Sequence, residues 1–295
     1  MMLPAGAELT SIRSPRIKAA RQLAKRAFRQ RARQFLAEGP QAVGEALAAG
    51  GVVTQLFVTA AAQARYANLI ELATGQGADV HAVSGEVMTE LAQTITPQGV
   101  LAVCGFIDVT LGELAGGPGG RPPGQALALA VILANVRDPG NAGTVLRTAD
   151  AAGAGGVIFA GSSVDPYNSK CVRASAGSLF HLPVVTGPPV ADAVRALRER
   201  GLHVLAADGG AGTTLDDLQP AGRLGQPTAW LFGNEAWGLS GDVLDLADDA
   251  VAVPIYGRAE SLNLAAAAAV CLYASARAQV PQPRSGRPTA NLTEL

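Results

Sequence analysis

Residues 126–161 read ALALAVILANVRDPGNAGTVLRTADAAGAGGVIFAG. ALALAVILA is a small-apolar run of strand length, the pattern of a strand buried on both faces. NVRDPG is a polar turn with Asp-Pro-Gly at its centre, which both reverses the chain and starts a helix. NAGTVLRTADAAGA then runs at helical spacing to a glycine, and GGVIFAG is a second buried strand. Strand, loop, helix and strand in this compass make a βαβ unit, which requires a parallel pair. The pattern continues downstream. A helix is predicted from near Asn168, HLPVV is a strand and VADAVRALRERG a helix. LHVLAAD, TAWLFG and VAVPI are further strands, and a long alanine-rich helix follows from Ser261. Buried strands separated by helices predict an α/β fold with a parallel sheet and helices on both faces. Ligands in such sheets sit beyond the carboxyl ends of the strands, where the loops after ALALAVILA, TAWLF and VAVPI are found.

Upstream of residue 126 the character differs. RQFLAEGPQAVGEALAAGG reads as a short apolar element, a turn and a helix; VVTQLFVTA, DVHAVS and GVLAVCGFIDV read as strands, and RYANLIELATGQG as a helix. These predict a small α/β domain of its own over residues 1–112. LGELAGGPGGRPPGQ supplies a Gly/Pro linker at 113–124, the parallel-sheet domain spans 125–281, and the polar, proline-containing tail 282–295 is expected to be disordered.

Among 295 residues the net charge is −1, but its distribution is polarised. Arg13, Arg16, Lys18, Arg21, Lys25, Arg26, Arg29, Arg31 and Arg33 are nine cations with no acid among them. A basic block on an otherwise acidic chain is the footprint of a nucleic-acid binder, or of a solvated helix face or arm. LAAAAAVCLYASA is too short to span a membrane, and the first residues lack a basic-then-apolar signal, so a cytoplasmic protein is expected. Cys104, Cys171 and Cys271 are widely scattered, as in a reducing compartment.

Several chemistries lack their residues. There is no GxxxxGK[ST], and the nearest approach to GxGxxG, from Gly153, has Ile158 in place of the last glycine. His81, His181 and His203 are far apart with no HExxH, so no metal site is expected. No GxSxG occurs. Three loops remain. The first holds Asn135, Arg137, Asp138, Pro139, Gly140, Asn141, Gly143 and Arg147. The second, LFGNEAWGLS, places Gly233, Asn234, Glu235 and Gly238 after a strand, where glycine lets a ligand approach the backbone and Glu235 can pair with a cation. The third, VPIYGRAESLNLAAAAA, turns through Gly257 into a helix capped at Ser261 or a near neighbour.

In this order the three segments resemble motifs 1, 2 and 3 of the SpoU–TrmH family, ribose 2′-O-methyltransferases of the SPOUT superfamily. The resemblance covers roughly residues 125–280. The N-terminal stretches SPRIKAARQLAKRAFRQRARQFLAEGPQAVGEAL and MTELAQTITPQGVLAV are similar to the L30e-like substrate-binding domain of ribosomal-RNA members. The resemblance implies a trefoil knot near the C-terminus, S-adenosylmethionine as cofactor, RNA as partner, and a homodimer through the C-terminal domain in which two subunits complete each site. Carried over by motif position, Gly233, Val253, Ile255 and Leu262 hold the cofactor. Arg147 is the catalytic arginine, Asn141 and Glu235 shape its surroundings, and Ser261 and Asn263 border cofactor and target ribose. PYNSKCVRASAGSLFHLPV also matches, and is expected to carry Asn168, Lys170, Arg173, Ser175 and Gly177 on a helix facing the same site. Arg16, Lys18, Arg26, Arg29 and Arg173 are the expected RNA contacts.

Methyl transfer to a ribose hydroxyl needs an in-line approach, an anchored backbone and a way to shed the hydroxyl proton. A guanidinium holds its protons at neutral pH. Arg147 is therefore expected to grip the neighbouring phosphate and polarise the hydroxyl rather than act as base. The expected substrate is large-subunit ribosomal RNA. The residues leave open a resistance methyltransferase of the thiostrepton type, a transfer-RNA 2′-O-methyltransferase, and a non-catalytic RNA-binding or assembly protein.

Overall fold

The computed structural model describes residues 8–116 and 127–279; the expected tail and most of the linker lie outside them. The basic segment folds as two short helices, α1 (Pro15–Gln22) and α2 (Arg26–Ala32). There follow β1 (Gln34–Glu38), α3 (Pro40–Ala48), β2 (Val53–Thr59), α4 (Ala60–Gln63), α5 (Ala67–Gly75), β3 (Asp79–Val83), α6 (Gly85–Leu91), β4 (Val100–Gly105) and α7 (Leu111–Leu114). The strands form one sheet in the order β1-β4-β2-β3, with β4 antiparallel to both neighbours and β2 parallel to β3.

A second sheet begins with β5 (Leu129–Ala134), whose loop leads into α8 (Pro139–Ala151) and then β6 (Val157–Ala160), the predicted βαβ unit. The chain continues through α9 (Ser169–Ala174), β7 (Val184–Thr186), α10 (Val190–Arg198), β8 (His203–Ala207), β9 (Thr213–Thr214), α11 (Leu215–Leu218), β10 (Thr228–Phe232), α12 (Gly241–Leu244), β11 (Asp249–Ala252) and α13 (Leu264–Gln279). All seven strands pair in parallel, in the order β7-β6-β5-β10-β8-β11-β9. Alternate residues of β5 serve opposite cores. Leu129, Val131 and Leu133 pack with α8 and α13, while Ala130 and Ile132 pack with α10. This is the two-sided burial that its unbroken apolar run required.

Two boundaries differ from expectation. VAVPI ends as a strand at Ala252, and the last helix starts at Leu264 rather than Ser261. The linker starts later than its composition suggested, because Leu114 closes α7 and is buried in the core beneath α10. Val109 N already donates to Val184 O of β7 at 2.9 Å.

The two sheets share one core. Phe35 of β1, Phe106, Tyr167 and Phe180 meet where they join, with ring centroids 4.7 Å apart for Phe35–Tyr167 and 3.9 Å for Phe106–Tyr167. The seam is also polar. The Tyr167 hydroxyl donates to Asp108 and accepts from Ile107 N, and Arg29 forms an ion pair with Asp165 at 2.7 Å, both side chains 3% exposed.

Candidate functional site

The loop after β5 is built around Asn135, which takes a left-handed conformation (φ 57°) that asparagine tolerates better than most residues. Its Oδ1 accepts from the backbone N and hydroxyl of Ser162, and its carbonyl accepts from Asn234 Nδ2 at 2.8 Å. Asn135 is thus a joint between two loops. Asp138 caps α8 by accepting from Asn141 N at 2.8 Å, with Pro139 in the first turn. Lys170 Nζ stands 2.8 Å from Asp138 Oδ2, and its hydrogen bond together with that of the Asn141 amide holds the Asp138 carboxyl below the usual range.

The loop after β10 folds back on itself. Asn234 and Gly238 exchange backbone hydrogen bonds at 2.9 Å, and a side chain at Gly233 would collide with the Gly238 carbonyl. Glycine at 233 is therefore a packing requirement. Glu235, expected to pair with a cation, does something else. Its two carboxylate oxygens accept from Arg137 N and Asp138 N at 3.0 Å each and from Asn141 Nδ2 at 3.4 Å, so it serves backbone donors that precede α8. Asn263, not Ser261, caps α13, its Oδ1 accepting from Ala265 N at 2.9 Å. Its Nδ2 donates to Asn141 Oδ1 at 3.1 Å. Asn141 consequently holds Glu235 with one end of its amide and Asn263 with the other, and all three loops meet at this side chain.

Beside this junction lies a cleft of about 610 Å³ at the carboxyl ends of β8, β10 and β11. Gly233, Val253, Ile255 and Leu262, the expected cofactor residues, all line it, as do Glu235, Ser261 and Asn263. Val253 and Ile255 reach it because the chain leaves the strand at Ala252. The wall also contains Asp208, Gly209 and Gly210 after β8, together with Trp237, none of which is among the residues expected from sequence. The signal was present, since ADGGAG follows a strand in the same way as the other loops do.

The lining fits S-adenosylmethionine by its chemistry. Asp208, Glu235 and Glu260 contribute three carboxylates, and among the described residues no lysine, arginine or histidine lines the cleft, which suits a cationic sulfonium ligand. Ile255 and Leu262, 38% and 39% exposed, offer apolar faces to such a ligand.

Arg147 is not among the cleft residues. It stands on α8, about 9 Å along the helix from Asn141 at 1.5 Å per residue, exposed and without a hydrogen bond or ion pair among the described residues. The α9 segment divides. Asn168 caps the helix and Lys170 reaches the α8 N-terminus. Ser175, however, is fully buried with its hydroxyl on Val172 O, and Gly177 (φ 100°) packs on Glu45 of α3. The Ser175 hydroxyl is therefore spent within its own helix, and Gly177 faces the first sheet's domain. Arg173 also turns that way, its Nη1 lying 3.5 Å from Glu38.

Of the expected RNA contacts on the basic segment, Arg16, Lys18 and Arg26 are exposed and free of ion pairs among the described residues, as are Arg13, Lys25 and Arg31. Arg29 must be withdrawn from that set. Its Nε and Nη2 donate to Asp165 and its Nη1 to the carbonyls of Leu23 and Ala24, so no nitrogen of the guanidinium is left for a phosphate.

A parallel sheet whose strand-end loops converge on an acid-lined cleft, joined through Arg29 and Asp165 to a helical unit with exposed cations, has the make-up of an α/β enzyme acting on nucleic acid. Comparison with known proteins narrows this. Residues 128–273 match the SpoU rRNA Methylase family and residues 14–102 the MRM3-like substrate binding domain. The chain is 32% identical to the Bacillus subtilis 23S rRNA (guanosine(2553)-2′-O)-methyltransferase RlmP over 273 residues, 90% of this chain and 98% of that one. Among solved structures, an AdoMet-bound rRNA methyltransferase from Sinorhizobium meliloti matches with a TM-score of 0.79 and 31% identity, covering 92% of this chain and 97% of that one. The SpoU methyltransferase AviRb from Streptomyces viridochromogenes, in complex with AdoMet, matches at 0.75 and 31%, covering 90% and 98%. The chain belongs to the SpoU rRNA methylase family, and it is an S-adenosylmethionine-dependent RNA methyltransferase. Among the described residues no helix is long and apolar enough to cross a membrane.

Proposed function

We propose that this protein methylates a ribose 2′-hydroxyl of large-subunit ribosomal RNA in the cytoplasm, residues 1–112 binding the substrate and 125–281 carrying the chemistry. The observation that carries this reading is the junction of Asn141, Glu235 and Asn263 beside the acid-lined cleft. Similarity over 90% and 76% of the chain to two 23S ribosomal-RNA 2′-O-methyltransferases supports the substrate.

When bound, S-adenosylmethionine supplies an electrophilic methyl group on a sulfonium. Gly233, Val253, Ile255 and Leu262 are the residues that would hold it, with Ser261 and Asn263 bordering the ribose. Asn141 fixes the mutual position of the three loops, which is the orienting contribution that a displacement reaction demands. Arg147 anchors the phosphate beside the target ribose and polarises its 2′-hydroxyl, whose proton leaves to that phosphate or to solvent. Arg147 stands outside the cleft of its own subunit, as it would if a second subunit completes the site. Supporting a homodimer, Val270 and Tyr273 project from one side of α13, 42% and 53% exposed. The trefoil knot belongs to the same proposal and is supported by the sheet order, in which β8 lies between β10 and β11.

The test is methyl transfer from labelled S-adenosylmethionine to total RNA from cells lacking the gene, with wild type beside Arg147→Ala, and mapping of the modified nucleotide. Label in large-subunit ribosomal RNA with wild type alone is the expected result. Label in transfer RNA overturns the substrate, and equal label with Arg147→Ala overturns the role of the arginine.

A further inference from the structure

The exposed face of the substrate-binding unit contains a cavity that the methyl-transfer site does not use. It measures about 370 Å³ and lies between the α1–α2 corner and the first sheet. Over most of that sheet face the strands present Leu36, Phe57, Leu101 and Val103 to Ile17, Ala20 and Leu23, an ordinary apolar contact. At its end the character changes. Two residues before Leu36 stands Gln34, and two before Phe57 stands Gln55, so period-two alternation puts both amides on the face that should be apolar. The β2 ladder is bulged here between Val53 and Gln55. The bulged Thr54 takes a hydrogen bond from Gln34 Nε2 at 3.3 Å and donates to Val103 O at 3.1 Å. Gln55 Oε1 is buried with no hydrogen-bond partner. Bulges that re-aim side chains and unsatisfied buried acceptors are features that folding alone does not favour.

The rest of the wall completes a recognisable set. Half-buried Phe28 offers a ring, and Arg31, one turn further along α2, is an exposed cation free of ion pairs among the described residues. Amide heads able to meet a polar edge, an aromatic face and flanking cations are the elements by which proteins take an unstacked nucleobase out of single-stranded RNA. We propose that this cavity receives one unpaired base of the RNA substrate, its face against Phe28, its edge read by Gln34 and Gln55, and its flanking phosphate held by Arg31. Buried Arg29 then acquires a function as a positioning residue. By binding Leu23 O, Ala24 O and Asp165 together it fixes the roof of the cavity to the catalytic unit, so the base is held at a set displacement from the reacting ribose.

The inference rests on the reading of the chain as an RNA methyltransferase but is tested apart from it. Full-length wild type, Phe28→Ala and Gln55→Leu are compared for retention of in-vitro-transcribed large-subunit ribosomal RNA, and the wild-type complex is cross-linked with ultraviolet light and its RNA-bearing peptides identified. Each substitution is expected to weaken RNA binding about tenfold, on the scale of one base–aromatic stack or one base-edge contact, with S-adenosylmethionine affinity unchanged. A cross-link is expected on the peptide containing Phe28. Gln55→Leu is expected to melt no lower than wild type, since it removes an acceptor that has no partner; a weaker binder that is not a weaker fold separates recognition from structure. RNA affinity within about twofold of wild type in both variants, with cross-links confined to other peptides, would overturn the proposal. Wild type that cross-links at Phe28 yet methylates no RNA would support the cavity and sink the reading of the activity.

Discussion

Replacing Asp165 by alanine removes the partner of a guanidinium that is 3% exposed and makes four hydrogen bonds, two of them to Asp165. The remaining two reach neutral carbonyls at the end of α1, so the positive charge stays buried without a counter-charge. Removing one member of such a pair costs roughly 3–5 kcal/mol, because the desolvation of the survivor is no longer compensated. In a chain of this size each kcal/mol moves the melting temperature by about 2–4 °C, which gives a fall of roughly 6–20 °C. Circular-dichroism melts measure it. Arg29→Met, which strands the carboxylate instead, is expected to lose a similar amount, and Arg29→Met with Asp165→Leu to regain most of it, since an apolar pair of similar volume often replaces a buried ion pair at little cost. RNA binding against salt supplies the opposing readout. Deleting a cation that touches phosphate would lower the slope of log K on log salt by about 0.7–0.9, whereas deleting a buried positioning residue leaves the slope unchanged. An Arg29→Met protein that melts within about 2 °C of wild type and shows that smaller slope would refute the burial argument and return Arg29 to the RNA-binding set.

Other expectations are simpler. Asn141→Ala disconnects Glu235 from Asn263 at one stroke and is expected to cut methyl transfer by roughly tenfold or more, while the melting temperature falls by only a few degrees because the junction is near the surface; full activity would show that the loops hold their positions without it. Arg147→Lys keeps the charge but not the planar fork, and turnover should fall; wild-type turnover would show that charge alone suffices. His181 hydrogen-bonds Asp150 at 2.7 Å and Glu45 at 3.1 Å, and these carboxylates, Asp150 first, raise its pKa above 6.5. The protonated ring is thus favoured by folding, its stabilisation complete below pH 6.5 and lost as pH rises through the elevated value. Melting temperature against pH should therefore decline less across that window in His181→Gln, by a modest amount for a half-exposed group. Gly143→Ala places a methyl group against the carbonyl of Cys171 where α8 and α9 touch, and should destabilise by about 1–3 kcal/mol in urea titrations.

The parallel sheet was readable because burial on both faces leaves unbroken apolar runs, and the three catalytic loops were readable because glycine, asparagine and charge collect at strand ends. What sequence withheld has a common cause in long-range partnership. Arg29 differs in no local respect from Arg26 or Arg31, and only its contact with a carboxylate 136 positions away turns it inward. Glu235 looks like the partner of a cation because its true partners are backbone N–H groups, which carry no residue label. The ADGGAG loop shows the same glycine and charge at a strand end as the other three, but its place in the cleft depends on β11 and β10, which are not its neighbours in sequence. Gln34 and Gln55, on the strands either side of β4, could be placed on one cavity wall only once the register of β1, β4 and β2 was known.

The aromatic seam bears on how this protein can change through evolution. Phe35 and Phe106 are contributed by one sheet's domain and Tyr167 and Phe180 by the other's, so a cut between them would leave ring faces on both fragments open to water. Neither half is a cassette that can be exchanged between relatives unless the partner rings travel with it. A swap made at the Gly/Pro-rich stretch would have to carry matching rings on both sides of the seam.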